Sequence, residues 1–265
     1  HLIRNSIIYI YGEIIIKVLN QEATAKDLKL KKMRNELLDT LCEHIHDSNA
    51  LVRSKTLQTW RRICDEKALP LNYMNEVMKR CVGRMEDIAS SVRKSAFQLL
   101  CDLIRNNPYG IVNIETSMNQ TETEYVKEDV ILKKMLENEE MEVDEAIVSD
   151  KEDDDDEENE EPNHTVLADS DYLKKQQEKE KEMQIILLQK SKVNYLKDTL
   201  EFIKQIESAI PKLSRLLFSK IQTDVLEVIS FFVTCYEHGL TDSCLGYAKC
   251  CHLFYMLKKR LKTLY

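Results

Sequence analysis

Two consecutive stretches of forty residues, 31–70 and 71–110, align without a gap and are identical at six positions. The identical pairs are Asn35/Asn75, Glu36/Glu76, Asp47/Asp87, Val52/Val92, Arg53/Arg93 and Gln58/Gln98. A period of about forty residues is typical of stacked helical hairpins, because one hairpin cannot bury its apolar face alone and needs a neighbour. The repeat therefore predicts an α-helical solenoid, which favours a binding scaffold over an enzyme.

Apolar residues within each repeat recur at steps of three and four, which places them on one face of a helix. The predicted core positions are Met33, Leu37, Leu41, Ile45, Val52, Thr56, Trp60 and Ile63 in the first repeat, and Met74, Val77, Cys81, Met85, Val92, Ala96, Leu100 and Leu103 in the second. The opening residues follow the same steps at Ile3, Ile7, Ile10, Ile14 and Val18. Residues 1–30 are therefore predicted to be a partial repeat that contributes its second helix.

Composition further restricts the fold classes that the chain can adopt. The chain has 265 residues but only five glycines and four prolines, which is too little turn chemistry for a β-sandwich or a Rossmann fold. No apolar run approaches the roughly twenty residues that span a bilayer, so we expect a soluble, intracellular protein. The eight cysteines fall mostly at apolar helix positions, where reduced core thiols are expected. Because the chain begins at His1, we expect it to be a fragment.

An acidic segment interrupts the helical pattern. Residues 122–161 contain 20 acidic residues and four lysines, so they carry −16, while the rest of the chain carries +8. Residues 112–171 are predicted to be a disordered linker, because they have few apolar side chains to offset the entropy of ordering. We interpret the linker as a spacer; shielding of a basic surface and recruitment of a basic partner are alternatives. Ser149 and Thr121 precede acidic residues and are candidate phosphorylation sites.

Helical patterning resumes at residues 172–240, which are predicted to be further repeat-like helices. Ile210-Pro211 predicts a helix break, because proline lacks the N–H that continues a helix. Residues 241–265 are predicted to be a C-terminal helix or tail of uncertain role. The predicted apolar stripe before the break is Ile185, Leu188, Lys192, Tyr195, Leu196, Leu200, Ile203 and Ile206.

Both repeats place an aspartate five residues before a valine and six before an arginine: Asp47/Val52/Arg53 and Asp87/Val92/Arg93. The aspartate can accept backbone N–H groups at the helix start, the valine can be buried, and the arginine can reach the aspartate of a stacked neighbour. This spacing resembles HEAT repeats. The predicted fold is an all-α HEAT-repeat α-solenoid of stacked hairpins, interrupted by a disordered acidic segment, in which these six residues are structural.

Residues around this spacing are more specific. The stretch 44–60, followed by Glu66-Lys67-Ala68-Leu69-Pro70, resembles the condensin complex subunit 1 family, the HEAT-repeat non-SMC subunits of condensin I. The resemblance continues in the same order over roughly half of the chain. It includes Val82-Gly83-Arg84-Met85, Asn106-Asn107-Pro108-Tyr109, Leu216-Leu217-Phe218-Ser219-Lys220 and Thr223-Asp224-Val225-Leu226-Glu227-Val228. It ends at Phe254.

The resemblance implies a non-catalytic regulatory subunit of the condensin complex that binds the kleisin subunit and DNA, works with the SMC ATPase subunits and acts in mitotic chromosome condensation. It implies a location in the nucleus and on mitotic chromosomes, with the cytoplasm as an interphase alternative. A different HEAT scaffold, such as a transport receptor, would share the Asp/Val/Arg spacing and is the main alternative. A hydrolase that pairs Asp47 with His44 or His46 is a more distant one.

Basic residues of the two repeats are candidates for sequence-independent contacts to the phosphates of double-stranded DNA, because a stripe of cations would give salt-sensitive affinity. The candidates are Lys55, Arg61, Arg62, Lys67, Arg80, Arg84, Lys94 and Arg105. An ordinary solvated surface is the alternative interpretation. No sequence motif predicts a catalytic residue, a cofactor, a metal site, a small-molecule substrate or a membrane contact.

Overall fold

The computed structural model of the chain describes residues 1–20, 26–110, 114–149 and 165–238. Across those four ranges all regular structure is helical, which confirms the predicted all-α class. The helices are α1 (Leu2–Lys17), α2 (Leu28–His44), α3 (Ala50–Asp65), α4 (Leu71–Arg84), α5 (Ser90–Arg105), α6 (Ile114–Ser149), α7 (Thr165–Leu216) and α8 (Gln222–Glu237).

Each predicted repeat forms a helical hairpin, α2 with α3 and α4 with α5. The turn inside each hairpin is held by its aspartate: Asp47 Oδ1 accepts the N–H of Asn49 at 2.8 Å, and Asp87 Oδ1 accepts the N–H of Ala89 at 3.0 Å. These bonds satisfy backbone donors that a helix start leaves unpaired. Pro70 is the N-cap of α4, a position that tolerates its missing N–H.

The second helices of the hairpins pack in a row, with α1 against α3, α3 against α5, and α5 against α8. Helix α1 therefore occupies the place of a second helix. The first turns match, since Leu2-Ile3-Arg4 corresponds to Leu51-Val52-Arg53. One apolar core runs through the row, and its largest fully buried side chains include Trp60, Phe97 and Phe231. This is the continuous core that stacked repeats require.

The prediction of which face of α1 lies in the core is wrong. Ile8, Ile15 and Leu19 are buried, whereas Ile3 is 77% exposed and Ile10 is 51% exposed. Ile7 and Val18, also in the predicted stripe, are exposed as well. In α3 the residues that correspond to Ile3 and Ile14 are Val52 and Ile63, and both are fully buried. An apolar stripe identifies a helix face, but which of two apolar faces is buried depends on the neighbours.

The chain divides into two compact units. Residues 1–118 and those from 201 onward form one, here called the repeat body, and residues 119–200 form the other, here called the insertion. In the repeat body, Phe202, Ile206 and Leu213 of α7 join the apolar core, and the rings of Tyr109 and Phe202 lie 5.3 Å apart. These boundaries differ from the predicted division at 111/112 and 171/172, because the repeat body includes α7 from residue 201 onward and α8, which are together called the third hairpin here.

The insertion contains helix where the sequence predicted a disordered linker over 112–171. Helix α6 covers 114–149 and α7 begins at 165; residues 150–164 lie outside the described ranges. Leu132 of α6 packs with Ile186 and Val193 of α7, and Gln189 Nε2 donates to Glu128 at 2.7 Å. The prediction counted charges and missed that glutamate and lysine are good helix formers and that α6 keeps one apolar stripe.

Two details of α7 also differ from the predictions. The helix continues through Pro211 to Leu216, although a break was predicted at Ile210-Pro211. Pro211 is exposed while Ala209 and Leu213 on either side are fully buried, so packing against the core maintains the helix direction. Within the insertion, the buried face contains Ile186 and Val193, whereas the predicted core residues Ile185 and Leu188 are 53% and 71% exposed.

Five cysteines of the repeat body, Cys42, Cys64, Cys81, Cys101 and Cys235, are free and buried. Burial raises the pKa of Cys42 and Cys101 to about 11 and that of Cys64 to about 12. The other three cysteines, and residues 241–265 as a whole, lie outside the described residues. In the part of the chain that the structure describes, no helix combines the length and the apolar content needed to cross a bilayer.

Candidate partner and nucleic-acid interface

A ladder of arginine–aspartate pairs connects successive repeats at the turns between their helices. Arg53 of the first repeat donates from Nε and Nη2 to the carboxylate of Asp87 in the second, at 2.9 and 2.8 Å. Its Nη1 donates to the carbonyls of Asp47 and Ser48 in its own turn. One guanidinium therefore fixes both the geometry of its own turn and the position of the next repeat, as bidentate arginine–carboxylate pairs can.

The same arrangement connects the second repeat to the third hairpin. Arg93 Nη2 donates to Asp224 of α8 at 2.8 Å, and its Nη1 donates to the carbonyls of Asp87 and Ile88. Only 10% of the Arg93 side chain and 2% of the Asp224 side chain are exposed. The pair joins residues 131 positions apart, so the ladder continues across the insertion.

Sequence reasoning missed two members of this ladder, Arg4 and Asp224. Arg4 Nη1 lies 3.3 Å from Asp47, which makes it the counterpart of Arg53. Its signal was the shared first turn of α1 and α3. Asp224 does not follow the repeat spacing: Ser219 takes the place of the turn aspartate and accepts the N–H of Ile221, while Asp224 supplies the carboxylate one helical turn later.

Burial and hydrogen bonding act in opposite directions on Asp87. Burial by itself raises the pKa of this carboxyl, but hydrogen bonds from Arg53, from the Ala89 N–H and from Arg84 outweigh it and lower the pKa below the usual value. The carboxylate is thus kept ionised within the ladder. This matches a structural role for the Asp/Val/Arg residues, of which Val52 and Val92 are fully buried.

Two of the predicted DNA-binding cations, Lys55 and Arg62, lie where α3 packs against α1. Lys55 Nζ is 5.0 Å and the Arg62 guanidinium 4.9 Å from the centre of the Tyr9 ring. Arg62 also pairs with Glu13, whose second partner is Lys17. Hydrogen bonds from Arg62 and then from Lys17 lower the pKa of Glu13 to about 2. These two cations hold α1 in place, which limits their freedom to contact phosphates.

Three others lie at or beside a cavity of about 320 Å³ between α3, α5 and α8: Arg61 and Arg105 line it, and Lys94 contacts one of its lining residues, Glu227. Arg61 and Arg105 both pair with Asp102, whose side chain is 4% exposed, and Lys94 lies 3.8 Å from Glu227. The remaining lining residues are Gln98, Cys101, Leu226, Glu227 and Ser230. Cations and carboxylates therefore alternate here, and they do not form the continuous positive stripe that the sequence suggested.

The last three predicted cations are separated from this group. Arg80 and Arg84 both lie on the first helix of the second repeat. Arg80 pairs with Glu76, and Arg84 pairs with Asp87 and donates to His46. Lys67 is exposed just after α3, in a left-handed conformation with a φ of 52°. The ladder thus brings its predicted residues together, whereas the eight DNA candidates are divided among several locations.

Of the residues in the hydrolase alternative, Asp47 lies near His44, whereas His46 has a different partner. Asp47 Oδ2 lies 3.7 Å from His44 Nδ1 and 3.3 Å from Arg4, and His46 faces Arg84. Among the described residues no group of His, Cys, Asp and Glu could hold a metal ion. Of the candidate phosphorylation sites, Thr121 is half-buried on α6 and Ser149 is the last residue of that helix.

Known proteins similar to the chain include condensin complex subunits of several organisms. The chain is 40% identical over 109 residues to condensin complex subunit 1 of Xenopus laevis, and 39% identical over 112 residues to that of Homo sapiens; each alignment covers 41% of this chain and 8% of the relative. Condensin complex subunit 1 of Schizosaccharomyces pombe is 26% identical over 276 residues, which cover 97% of this chain and 22% of the relative. No protein-family model matches the chain.

The vertebrate alignments are the more identical and the yeast alignment is the more extensive, so the relationship includes the insertion as well as the repeats. The chain spans less than a quarter of the length of the relatives it matches. The alignments confirm the resemblance that the turn and closure residues predicted: the chain is similar to condensin complex subunit 1.

Proposed function

We propose that this chain is part of a non-catalytic regulatory subunit of a condensin complex. The observation that supports the proposal is the similarity to condensin complex subunit 1 along 97% of the chain, on a stack of repeats connected by buried arginine–aspartate pairs. A row of helices with a continuous core is a rigid surface for partners. The subunit would contribute binding and positioning, and the chemical energy would come from other members of the complex.

The partners that we propose follow from the resemblance: the kleisin subunit, the SMC ATPase subunits and double-stranded DNA. The setting is the nucleus and the mitotic chromosome. Affinity capture of the native protein from mitotic cells, with identification of the co-purifying chains, tests this assignment. Recovery of SMC and kleisin subunits is expected. Recovery of a different set of partners, without either, would contradict it.

DNA contact is the second part of the proposal, and it is assigned to the cations with the fewest internal partners. Lys67 is exposed on a turn, and the side chain of Lys94 is 50% exposed with one long ion pair. Arg61, Arg62, Arg80, Arg84 and Arg105 each have a closer carboxylate, so a charge reversal at those positions would disturb folding together with binding.

The variant that tests this assignment is Lys67→Gly with Lys94→Gln. Glycine adopts the left-handed conformation of residue 67 at no steric cost, so stability should be retained. We expect weaker binding to a short duplex and a salt dependence of log K that is shallower by about 0.9 for each lost phosphate contact. Lys79→Gln with Lys29→Gln changes two other exposed lysines and is the matched control. Equal affinity and equal slope in both variants would remove Lys67 and Lys94 from the interface.

A further inference from the structure

One turn region of the repeat body exposes large apolar side chains inside a basic rim. Ile88 is 99% exposed, Phe218 is 73% exposed and Ile221 is 43% exposed. Lys212, Arg215 and Lys220 complete the group, here called the turn patch. None of its members belongs to the predicted DNA-binding set or to the ladder, so the patch is a separate surface to which the function proposed above assigns no contact.

The ladder pair of Arg93 and Asp224 brings the two halves of the turn patch together. Arg93 donates to the Ile88 carbonyl at 3.0 Å and to Asp224 at 2.8 Å, and Ser219, next to Phe218, donates to the same carboxylate at 3.4 Å. Two ion pairs, from Glu86 to Lys212 and to Arg215, connect the turn of the second repeat to the C-terminal end of α7. The apolar and basic residues are therefore on a single preformed surface, held by buried contacts.

The apolar residues of the turn patch are not needed for stacking. Ser48 stands in the first repeat where Ile88 stands in the second, and His46 occupies the position of Phe218 when the hairpins are aligned at their N-caps Asn49 and Ile221. Polar residues thus serve the same turn elsewhere in the chain. Single exposed apolar residues are common on protein surfaces, but a cluster with a polar rim is typical of a protein interaction site.

The charge around the turn patch indicates the chemistry of the partner. Three cations surround it against one acidic residue, Glu86, and the Arg215 side chain is 73% exposed. A second copy of the patch would be repelled by the same charges. Duplex DNA offers phosphates but no apolar side chain for Ile88 and Phe218. The chain's own most acidic stretch, residues 150–161, contains no apolar residue. A segment with both acidic and large apolar side chains complements both features.

We propose that the turn patch binds a short acidic segment of a partner protein, with two apolar side chains against Ile88 and Phe218 and carboxylates towards Lys212, Arg215 and Lys220. Apolar anchors provide most of the affinity in such contacts, and surrounding charges provide specificity and association rate.

Selection from a library of short random peptides displayed on phage, with the full chain as bait, tests this proposal. The expected result is enrichment of acidic peptides with two large apolar residues. Synthetic copies should bind about tenfold or more weakly to the Ile88→Ser, Phe218→Ser variant, because truncating an interface anchor commonly costs that much. Leu28→Ser changes a side chain that is 83% exposed elsewhere and should leave binding unchanged.

Three results would overturn the proposal: no enrichment of such peptides, equal binding by parent and double variant, or self-association of the parent, seen by sedimentation, that the double variant abolishes. The variant Arg215→Gln, Lys220→Gln distinguishes duplex DNA from an acidic peptide as the ligand of the turn patch. If this variant loses duplex affinity while Ile88→Ser, Phe218→Ser binds the peptides as the parent does, the patch is a nucleic-acid contact instead.

Discussion

At the scale of single residues, the arginine–aspartate pairs are expected to have a large effect on stability. Removing one partner of a buried ion pair leaves the other charge without compensation, which costs about 3–5 kcal/mol. Arg93 also satisfies two carbonyls of its own turn, so its loss affects the turn as well as the stack. The pair is therefore a determinant of how the third hairpin is placed.

We predict that Arg93→Met lowers the free energy of unfolding by about 3–5 kcal/mol, because Asp224 is then buried as an unpaired carboxylate. Urea unfolding followed by circular dichroism measures the change. Adding Asp224→Asn should restore part of the loss, since the remaining buried group is then neutral. Lys94→Met, on the exposed side of the same helix, is the control and should change stability by less than about 0.5 kcal/mol. A loss at Arg93 no larger than this would contradict the ladder's role.

A second prediction at this scale concerns acid. The pKa of Glu13 falls from 4.5 to about 2 in the folded chain, chiefly through the hydrogen bond from Arg62. A carboxyl with a lowered pKa adds stability above its unfolded pKa and loses it as the pH falls through the folded value. Stability should therefore decrease between about pH 4.5 and pH 2, and Glu13→Gln should flatten this decrease.

Unfolding at a series of pH values measures the effect, with Glu66→Gln, at an exposed position, as the control. An acid transition of unchanged slope in Glu13→Gln would show that other carboxyls dominate it.

At the scale of helices, close approach of α1 and α3 depends on one glycine. A Cβ at Gly12 would lie 2.6 Å from Thr59 Cγ2, closer than real carbon contacts, whereas a Cβ at Gly83 in α4 would meet nothing within 4 Å. Alanine stabilises an exposed helix position by about 0.8–1 kcal/mol relative to glycine, but overpacking costs about 1–3 kcal/mol. The two glycines should therefore respond to alanine with opposite signs.

We predict that Gly12→Ala is destabilising and that Gly83→Ala is stabilising, both measured by thermal unfolding. Thr59→Ser removes the methyl group that the new Cβ would meet, so Gly12→Ala combined with Thr59→Ser should recover most of the loss. Destabilisation by both alanine variants, or no rescue by Thr59→Ser, would show that packing of α1 on α3 does not determine the effect.

Helix positions were more predictable from the sequence than the faces that the helices bury. Apolar periodicity located α2 to α5, because both repeats alternate stripes with turns that contain Asp47 and Asp87. It misassigned α1 and the first part of α7, since both helices have two apolar faces and the sequence does not say which one meets a neighbour. Tertiary packing decided these cases, as it did for the helix through Pro211.

The candidate site was predictable in the same uneven way. The ladder from Arg53 to Asp87 follows from a spacing that repeats, so it was visible in the sequence. Asp224 was not, because its partner lies 131 positions away and the turn aspartate is replaced by Ser219. The predicted DNA stripe relied on charge alone, and charge does not reveal which cations already have partners, as Arg61 and Arg105 have in Asp102.

At the scale of the molecule, the insertion interrupts the chain without interrupting the stack. The parts of the repeat body before and after the insertion are joined by the Arg93–Asp224 pair and by the rings of Tyr109 and Phe202, which lie 5.3 Å apart. All of these contacts lie within the repeat body. The insertion should therefore be dispensable for folding of the repeats.

We predict that replacing residues 119–200 by a flexible linker of about eight residues, which reaches about 25 Å, leaves one cooperative unfolding transition in the repeat body. Circular dichroism against temperature measures the transition. Arg93→Met in this shortened chain should still be strongly destabilising, which checks that the third hairpin remains docked. Loss of cooperativity, or an Arg93→Met substitution that leaves the stability of the shortened chain unchanged, would show that the insertion takes part in building the stack.

The pair that crosses the insertion also affects the order in which the protein folds. Closing a chain loop costs entropy that grows with the logarithm of its length, so the 131-position separation of Arg93 and Asp224 costs about 1.2 kcal/mol more than the 34 positions between Arg53 and Asp87. Local hairpins form before such distant contacts. During synthesis the first two repeats can pair while the acidic segment is still emerging, and the third hairpin joins a template that is already folded.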